Sequence, residues 1–279
     1  MQIARPGRFA VGAVLAACIL ALALPLRAPD AQTASALTTP TANAAKYRVG
    51  DKYSGYTYAD PSTQAMQDDD FANPGFLWVQ EGEALWSKPD GAANKACADC
   101  HGKAEETMKR VGATYPKWQG KLDKLENIEQ RINQCRVDNQ QAEAWAWESR
   151  PLLAMTAYVR TQSRGEKVDV SIDGPAKPHF ENGEKLYYTR HGQLDLSCAN
   201  CHEDNSGNWI RGDLLGQSMA NGFPTYRLRE QKLISLQFRL IGCVRDTRAE
   251  PYDYGSPEYL DLELYLAHRA KDLPVEAPS

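Results

Sequence analysis

The chain has 279 residues, of which 42% are hydrophobic and 24% charged, with a formal net charge of −4. That length suits two domains of about 100 residues each, and the composition is that of a soluble globular protein. A mildly acidic chain without a basic tract excludes the usual electrostatic footprint of a nucleic-acid binder.

In chain order, the first element is an export signal. Arg5 and Arg8 precede an apolar run from Phe9 to Leu26, and small-residue cleavage candidates follow at Ala34-Ser35-Ala36 and Ala42-Asn43-Ala44. This layout is that of a secretory signal peptide, placed at 1–36 with cleavage between 36 and 44. The run is short for a retained span, although hydropathy alone leaves an N-terminal anchor as the other reading. No later stretch is apolar enough to cross a bilayer, so the mature chain is expected to be soluble outside the cytoplasm. Cleavage after Ala36 removes Arg5, Arg8, Arg27 and Asp30 and moves the net charge from −4 to −6. An N-terminal extension (45–72) comes next, and its Asp68-Asp69-Asp70 run reads as a solvated stretch.

The remainder reads as two related halves, 73–167 and 168–279. Gly82-Glu83-Ala84-Leu85-Trp86 begins 15 residues before Cys97, and Gly183-Glu184-Lys185-Leu186-Tyr187 begins 15 before Cys198. Each reads as a helix leading into a C-x-x-C-H motif, Cys97-Ala98-Asp99-Cys100-His101 or Cys198-Ala199-Asn200-Cys201-His202. Two thiols at that spacing match the two vinyl groups of haem, and the adjacent His lies under the iron as proximal ligand. Three disulfides or zinc sites would leave both histidines unexplained. Two covalently bound haem c groups are therefore expected, held by Cys97 and Cys100 and by Cys198 and Cys201, with His101 and His202 on iron.

Beyond the motifs the halves match again. Tyr115-Pro116-Lys117-Trp118 lies 20 residues before Cys135, and Phe223-Pro224-Thr225-Tyr226 lies 20 before Cys243. Leu125, Ile128 and Ile132 align with Leu233, Leu236 and Leu240, a spacing that predicts one apolar helix face in each half. Arg131 and Arg239 each stand four residues before their cysteine, on the same face if the helix persists. Each half closes with a further helix, through Leu152, Leu153, Met155, Tyr158 and Val159 or through Leu260, Leu262, Leu264, Tyr265 and Leu266. The fold expected is mainly α: two tandem cytochrome c-like domains related by internal duplication.

For the second axial ligand, methionine is the common choice, but Met108, Met155 and Met219 lack counterparts in the other half. Cys135 and Cys243 do correspond and are assigned as axial ligands, giving His101/Cys135 and His202/Cys243. A Cys135–Cys243 disulfide is the competing arrangement, and His179, His191 and His268 are further possible ligands that read more simply as solvated or core residues. Thiolate ligation lowers the potential of iron, which favours chemistry at the sulfur over a high-potential relay.

Two C-x-x-C-H motifs, a lone Cys after each, and Arg239-Leu240-Ile241-Gly242-Cys243-Val244-Arg245 resemble the SoxA family of dihaem cytochromes from bacterial thiosulfate oxidation. The resemblance runs from about Tyr47 to the end, and its most specific part is the Arg-x-x-Gly-Cys segment. It implies an L-cysteine S-thiosulfotransferase in the periplasm, working with a SoxX-like monohaem cytochrome. It also implies coupling of thiosulfate to a cysteine of a SoxYZ-like carrier, with two electrons leaving through haem. Carried over, Cys243 is both haem ligand and catalytic cysteine, modified to a persulfide, and Arg239 holds the sulfur substrate.

The residues themselves support such an asymmetry. Between 227 and 248 there are six basic and two acidic residues, whereas the aligned window 119–140 has four of each. A positive site attracts a dianion and steadies a thiolate. Gly242 also crowds Cys243 less than Gln134 crowds Cys135, although Arg131 matches Arg239 and both arginines also suit a haem propionate. A thiosulfate dehydrogenase releasing tetrathionate, a dihaem peroxidase and a non-catalytic electron carrier are the alternatives.

Overall fold

The computed structural model describes residues 42–279, so the signal peptide and most of its cleavage window lie outside the described residues. The N-terminal extension carries β1 (Arg48–Val49), β2 (Lys52–Tyr53) and helix α1 (Pro61–Asp68). Asp60 starts α1 by accepting the Ser62 and Thr63 amides, 2.9 and 3.0 Å away, which satisfies amides that the first turn leaves unpaired.

The first half then follows as α2 (Phe76–Trp86), α3 (Cys97–His101), α4 (Ala104–Thr107), the hairpin β3 (Lys117–Gln119) and β4 (Lys124–Glu126), α5 (Ile128–Cys135) and α6 (Arg150–Thr161). The second half repeats the plan with α7 (Lys177–Tyr188), α8 (Cys198–His202), β5 (Trp209–Ile210), β6 (Asp213–Leu214), β7 (Thr225–Arg227), β8 (Lys232–Ile234), α9 (Leu236–Asp246) and α10 (Pro257–Arg269). The mainly α expectation holds, with only short antiparallel hairpins among the described residues.

Two glycines set the helix pairing. A Cβ on Gly82 of α2 would lie 2.2 Å from the Ala154 carbonyl oxygen of α6, and one on Gly183 of α7 would lie 2.0 Å from that of Asp261 on α10. Only the missing side chain lets each pre-motif helix lie directly on the closing helix of its own half. Trp78, Val79, Trp86, Leu153, Ala154 and Tyr158 fill the first contact, and Tyr187, Leu262, Tyr265 and Leu266 the second.

The apolar triplets are not single helix faces. Leu125 and Leu233 belong to β4 and β8, and the helices begin at Ile128 and Leu236. Asn127 and Ser235 stop each helix from extending backwards, their side-chain oxygens accepting the Gln130 and Phe238 amides at 2.9 and 3.1 Å. An i, i+3 spacing that straddles a cap mimics a helix because spacing alone carries no information about the turn between.

The hairpins interlock the halves. Leu125 and Trp118 pack with Val168, Val170, Leu260 and Leu264 of the second half, while Leu233 and Tyr226 pack into the first-half core. Trp118 lies on His179 of α7 at 5.5 Å between ring centroids, and its counterpart Tyr226 lies on Trp78 of α2 at 5.6 Å. Trp147 and Tyr254, also equivalent by the repeat, stack on one another at 5.7 Å with 15° between their planes. The halves thus meet about an approximate two-fold, each lending its hairpin to the other's core, and pack as one unit. No helix among the described residues is long and apolar enough to cross a membrane.

Candidate functional site

Each C-x-x-C-H segment is a helix of barely more than one turn, held by a cap. The Ala96 amide donates to Asp99 Oδ2 at 2.8 Å; in the second half the Ser197 amide donates to Asn200 Oδ1 at 3.0 Å and Ser197 Oγ accepts the Asn200 amide at 3.3 Å. The pair at Ser197 and Asn200 is reciprocal, that at Ala96 one-sided, and both motif helices hold their two cysteines and histidine inside one short helix.

In the first half a cavity of about 290 Å³ opens among Cys97, Cys100 and His101 of the motif and Arg131 and Cys135 of α5. Ile128, Ile132, Met155 and Val159 give it apolar walls. Arg131 and Cys135 both lie on α5, and Arg239 and Cys243 both on α9, so each helix persists through the four-residue spacing that puts the pair on one face. Met108 and Met155 also line the first cavity.

The electrostatics of the two halves run in parallel. Burial pushes the Cys97 thiol up to about 11 and the Cys198 thiol up to about 12, with the later cysteine of the same half, Cys135 or Cys243, the next contribution in the same direction. Burial also raises Cys135 and Cys243, opposed by Arg131 and by Arg239 respectively. Both motif histidines are held below the ordinary imidazole range, chiefly by burial, which favours the neutral ring that a metal needs. All six described cysteines are free thiols. Cys135 lines the cavity that Cys97, Cys100 and His101 also line, and Cys243 acts electrostatically on Cys198 of its own half.

The other histidines do not line the first cavity. His179 Nδ1 lies 2.6 Å from Asp261 Oδ1, His268 packs edge-on against Phe180, and His191 pairs through its backbone with Leu196.

Two features escaped the sequence reading as individual residues. Arg227, at the end of β7, has a side chain only 19% exposed, and burial together with Arg239 lowers its pKa, so two guanidinium groups share one neighbourhood. Its pull on Cys243 is in the same direction as that of Arg239. Gln119 occupies the equivalent place in the first half, donating to Tyr115 Oη at 2.7 Å. A local excess of basic residues was the only signal for Arg227. The second feature is the Gly216 carbonyl, 2.7 Å from His202 Nδ1, and a backbone group leaves no mark in sequence.

The profile of the family described as SoxA/TsdA, cytochrome c domain, matches residues 81–168 and again 182–275. The chain belongs to the SoxA/TsdA cytochrome c family. The L-cysteine S-thiosulfotransferase subunit SoxA of Rhodovulum sulfidophilum is 46% identical over 226 residues, covering 81% of this chain and 79% of that protein. The corresponding subunit of Paracoccus pantotrophus is 44% identical over 227 residues, covering 81% and 78%. Among solved structures, the crystal structure of SoxXA from P. pantotrophus matches at a TM-score of 0.80 and 43% identity, covering 87% of this chain and 91% of the matched one. Within the family the chain groups with SoxA, and its enzyme class is L-cysteine S-thiosulfotransferase.

A cytochrome c domain implies haem c, and the residues present fit it. Paired thiols, an imidazole and a lone thiol surround a cavity with apolar walls and with Arg131, Arg136, Lys95 and Lys117 among its lining, which are the donors and lining that a covalently held porphyrin with charged propionates needs. A buried thiol with a raised pKa is deprotonated outright once it coordinates metal, which removes the cost that burial imposes on the thiolate.

Proposed function

We propose that the chain holds two haem c groups, one through Cys97 and Cys100 and one through Cys198 and Cys201, with His101/Cys135 and His202/Cys243 as axial pairs. In this reading it is the subunit that oxidatively couples thiosulfate to a cysteine of a SoxYZ-like carrier, at Cys243. The observation that carries the reading is that Arg239 and Arg227 both act on Cys243, where the first half has Gln119 in the place of Arg227.

The chemistry follows from charge. Joining the sulfane sulfur of thiosulfate to the Cys243 sulfur makes a sulfur–sulfur bond between two nucleophiles, so two electrons must leave. Bound haem supplies the route for those electrons. Arg239 presents a planar fork of donors that suits the sulfonate oxygens, and Arg227 adds positive charge to a site receiving a dianion. The carrier's thiolate then attacks the sulfane sulfur: its bond to that sulfur forms, the bond to Cys243 breaks, and Cys243 leaves as thiolate. A persulfide on Cys243 would perform the same two steps one sulfur further out.

Gly242 agrees with an open approach. Nothing lies within 4 Å of the Cβ it lacks, so packing does not require glycine there, although glycine in a helix interior costs about 0.5–1 kcal/mol. The electron acceptor is a SoxX-like monohaem cytochrome, in keeping with the SoxXA complex that the chain's fold matches. The export signal expected from the sequence supports a periplasmic assembly.

The deciding experiment is Cys243→Met in the holoprotein. Both haems should remain attached while transfer from thiosulfate to the carrier cysteine is lost; transfer that survives overturns the assignment. Peptide mass mapping of the unaltered protein should show extra sulfur on Cys243 after thiosulfate, removable by a reductant, and none on Cys135.

A further inference from the structure

The C-x-x-C-H cysteines of the two halves are 101 residues apart, but Cys135 and Cys243 are 108 apart, as are Pro116 and Pro224. The second half therefore carries seven extra residues between His202 and Pro224. They form the β5–β6 hairpin, in which Trp209 pairs with Leu214 and Ile210 with Asp213. The hairpin is closed beneath by the Gly207 amide on the Leu215 carbonyl at 2.8 Å and the Leu215 amide on the Asn208 carbonyl at 2.9 Å.

This insertion delivers the Gly216 carbonyl to His202 Nδ1 at 2.7 Å. A carbonyl only accepts, so Nδ1 carries the proton and Nε2 keeps its lone pair for iron. His101 has no such bond among the described residues; its ring packs against Trp86 at 5.7 Å.

The N-terminal extension clamps the insertion in turn. The Tyr53 amide donates to Gln217 Oε1 at 2.7 Å, and Gln217 Nε2 donates to the Asp51 carbonyl at 3.0 Å. Tyr58 Oη lies 3.0 Å from Ser206 Oγ, and its ring comes within 3.3 Å of the place a Cβ on Gly216 would occupy. On the other side Arg211, at the hairpin turn, binds Asp246 at 3.0 Å, three residues beyond Cys243.

We propose that the seven-residue insertion, clamped by Asp51–Tyr58, is a positioning device for the proximal ligand of the second haem, fixing the tautomer and ring plane of His202 and making it the stronger donor of the two motif histidines. Gly216, Gln217 and Tyr58 are positioning residues; none touches the reacting sulfur. A proximal imidazole whose Nδ1–H is held by a carbonyl gives more electron density to iron and favours the oxidised state. The half with the reactive cysteine thus has its own means of setting its potential, separate from the thiolate that both halves share.

The inference rests on the two-haem reading. Its test is a spectroelectrochemical titration of the full-length holoprotein, with low-spin electron paramagnetic resonance, for Gln217→Ala and for the milder Tyr58→Phe. The expected result is that the second haem becomes easier to reduce by up to about tenfold, which is 59 mV for one electron, with changed g values, while the first haem keeps both. An unchanged second haem, or equal shifts of both, overturns the inference. Intact mass, read first, separates the two claims. Haem absent from Cys198 and Cys201 sinks both. Haem absent only from Cys97 and Cys100 sinks the two-haem reading, and the shift of the second haem then decides the role of the insertion by itself.

Discussion

Cys135 and Cys243 occupy equivalent positions but meet different charges. Arg131 and Arg239 oppose the burial of each thiol equally in kind, and Asp138 and Asp246 work against them in each half. The difference lies in a third group: Glu126 adds negative charge near Cys135, whereas Arg227 adds positive charge near Cys243. On the proposed reading, the added positive charge near Cys243 favours a dianionic substrate there. Arg227→Gln, which installs the first half's residue, should raise KM for thiosulfate about three- to tenfold and flatten its rise with added salt, since one unit of attraction is lost. Steady-state kinetics at two ionic strengths decide this. Arg239→Ala should lower kcat/KM by about 10- to 100-fold, the ~1.5–3 kcal/mol of a charge-assisted hydrogen bond. Arg131→Ala should leave kcat/KM unchanged, and equal losses at both arginines would point to a shared propionate role instead.

At the scale of elements, the closest approaches are those of α2 on α6 and α7 on α10. A side chain at Gly183 would drive a Cβ into the Asp261 backbone, and a carbonyl oxygen inside a helix cannot move aside without shifting the helix. Gly183→Ala should therefore destabilise the fold by about 1–3 kcal/mol, the range for overpacking, and Gly82→Ala should behave alike. Thermal melts of the holoproteins measure both; an unchanged midpoint would mean that the helices are free to separate. Gly242→Ala is the control: its Cβ meets open space, so stability should hold or rise. These elements also show what spacing can and cannot convey. The paired motifs, lone cysteines and pre-motif glycines were legible because each chemical need recurs at a fixed interval. The hairpins were not, because Leu125 and Leu233 sit three residues before helix positions and keep helical spacing across a cap.

For the whole molecule, the meeting of the halves brings charge into a small cavity of about 40 Å³ lined by Glu129, Arg160 and Glu263. Asn127 Nδ2 donates to Glu263 Oε1 at 3.1 Å, and Arg160 Nε has no hydrogen-bond partner among the described residues. Burial pushes Glu129 up to about 7 and Glu263 up to about 8, with Arg160 pulling both down. Because the folded carboxyls hold protons that the unfolded chain releases at an ordinary carboxylate pKa, their contribution to stability is full below about pH 4.5 and falls as pH rises towards 8. Glu263→Gln should flatten that decline, measurable as the difference in denaturant midpoint between pH 5 and pH 8. Glu129→Gln should do the same, and the repeat itself already places Gln237 at that position. A slope identical to that of the unaltered protein would show that these groups do not titrate with folding.

The amino-acid order by itself determined the duplication, the cytochrome c motifs and the placing of each arginine on one helix with its cysteine. All of these depend on intervals along one short helix or motif, where chain connectivity fixes distance. The exchange of hairpins, the carbonyl on His202, the nearness of Arg227 to Arg239 and the buried carboxyl pair were decided only by tertiary structure. Each joins segments separated by turns whose direction no local spacing encodes, and in each the partner is either a backbone atom or a residue whose role arises only when the two halves close on one another.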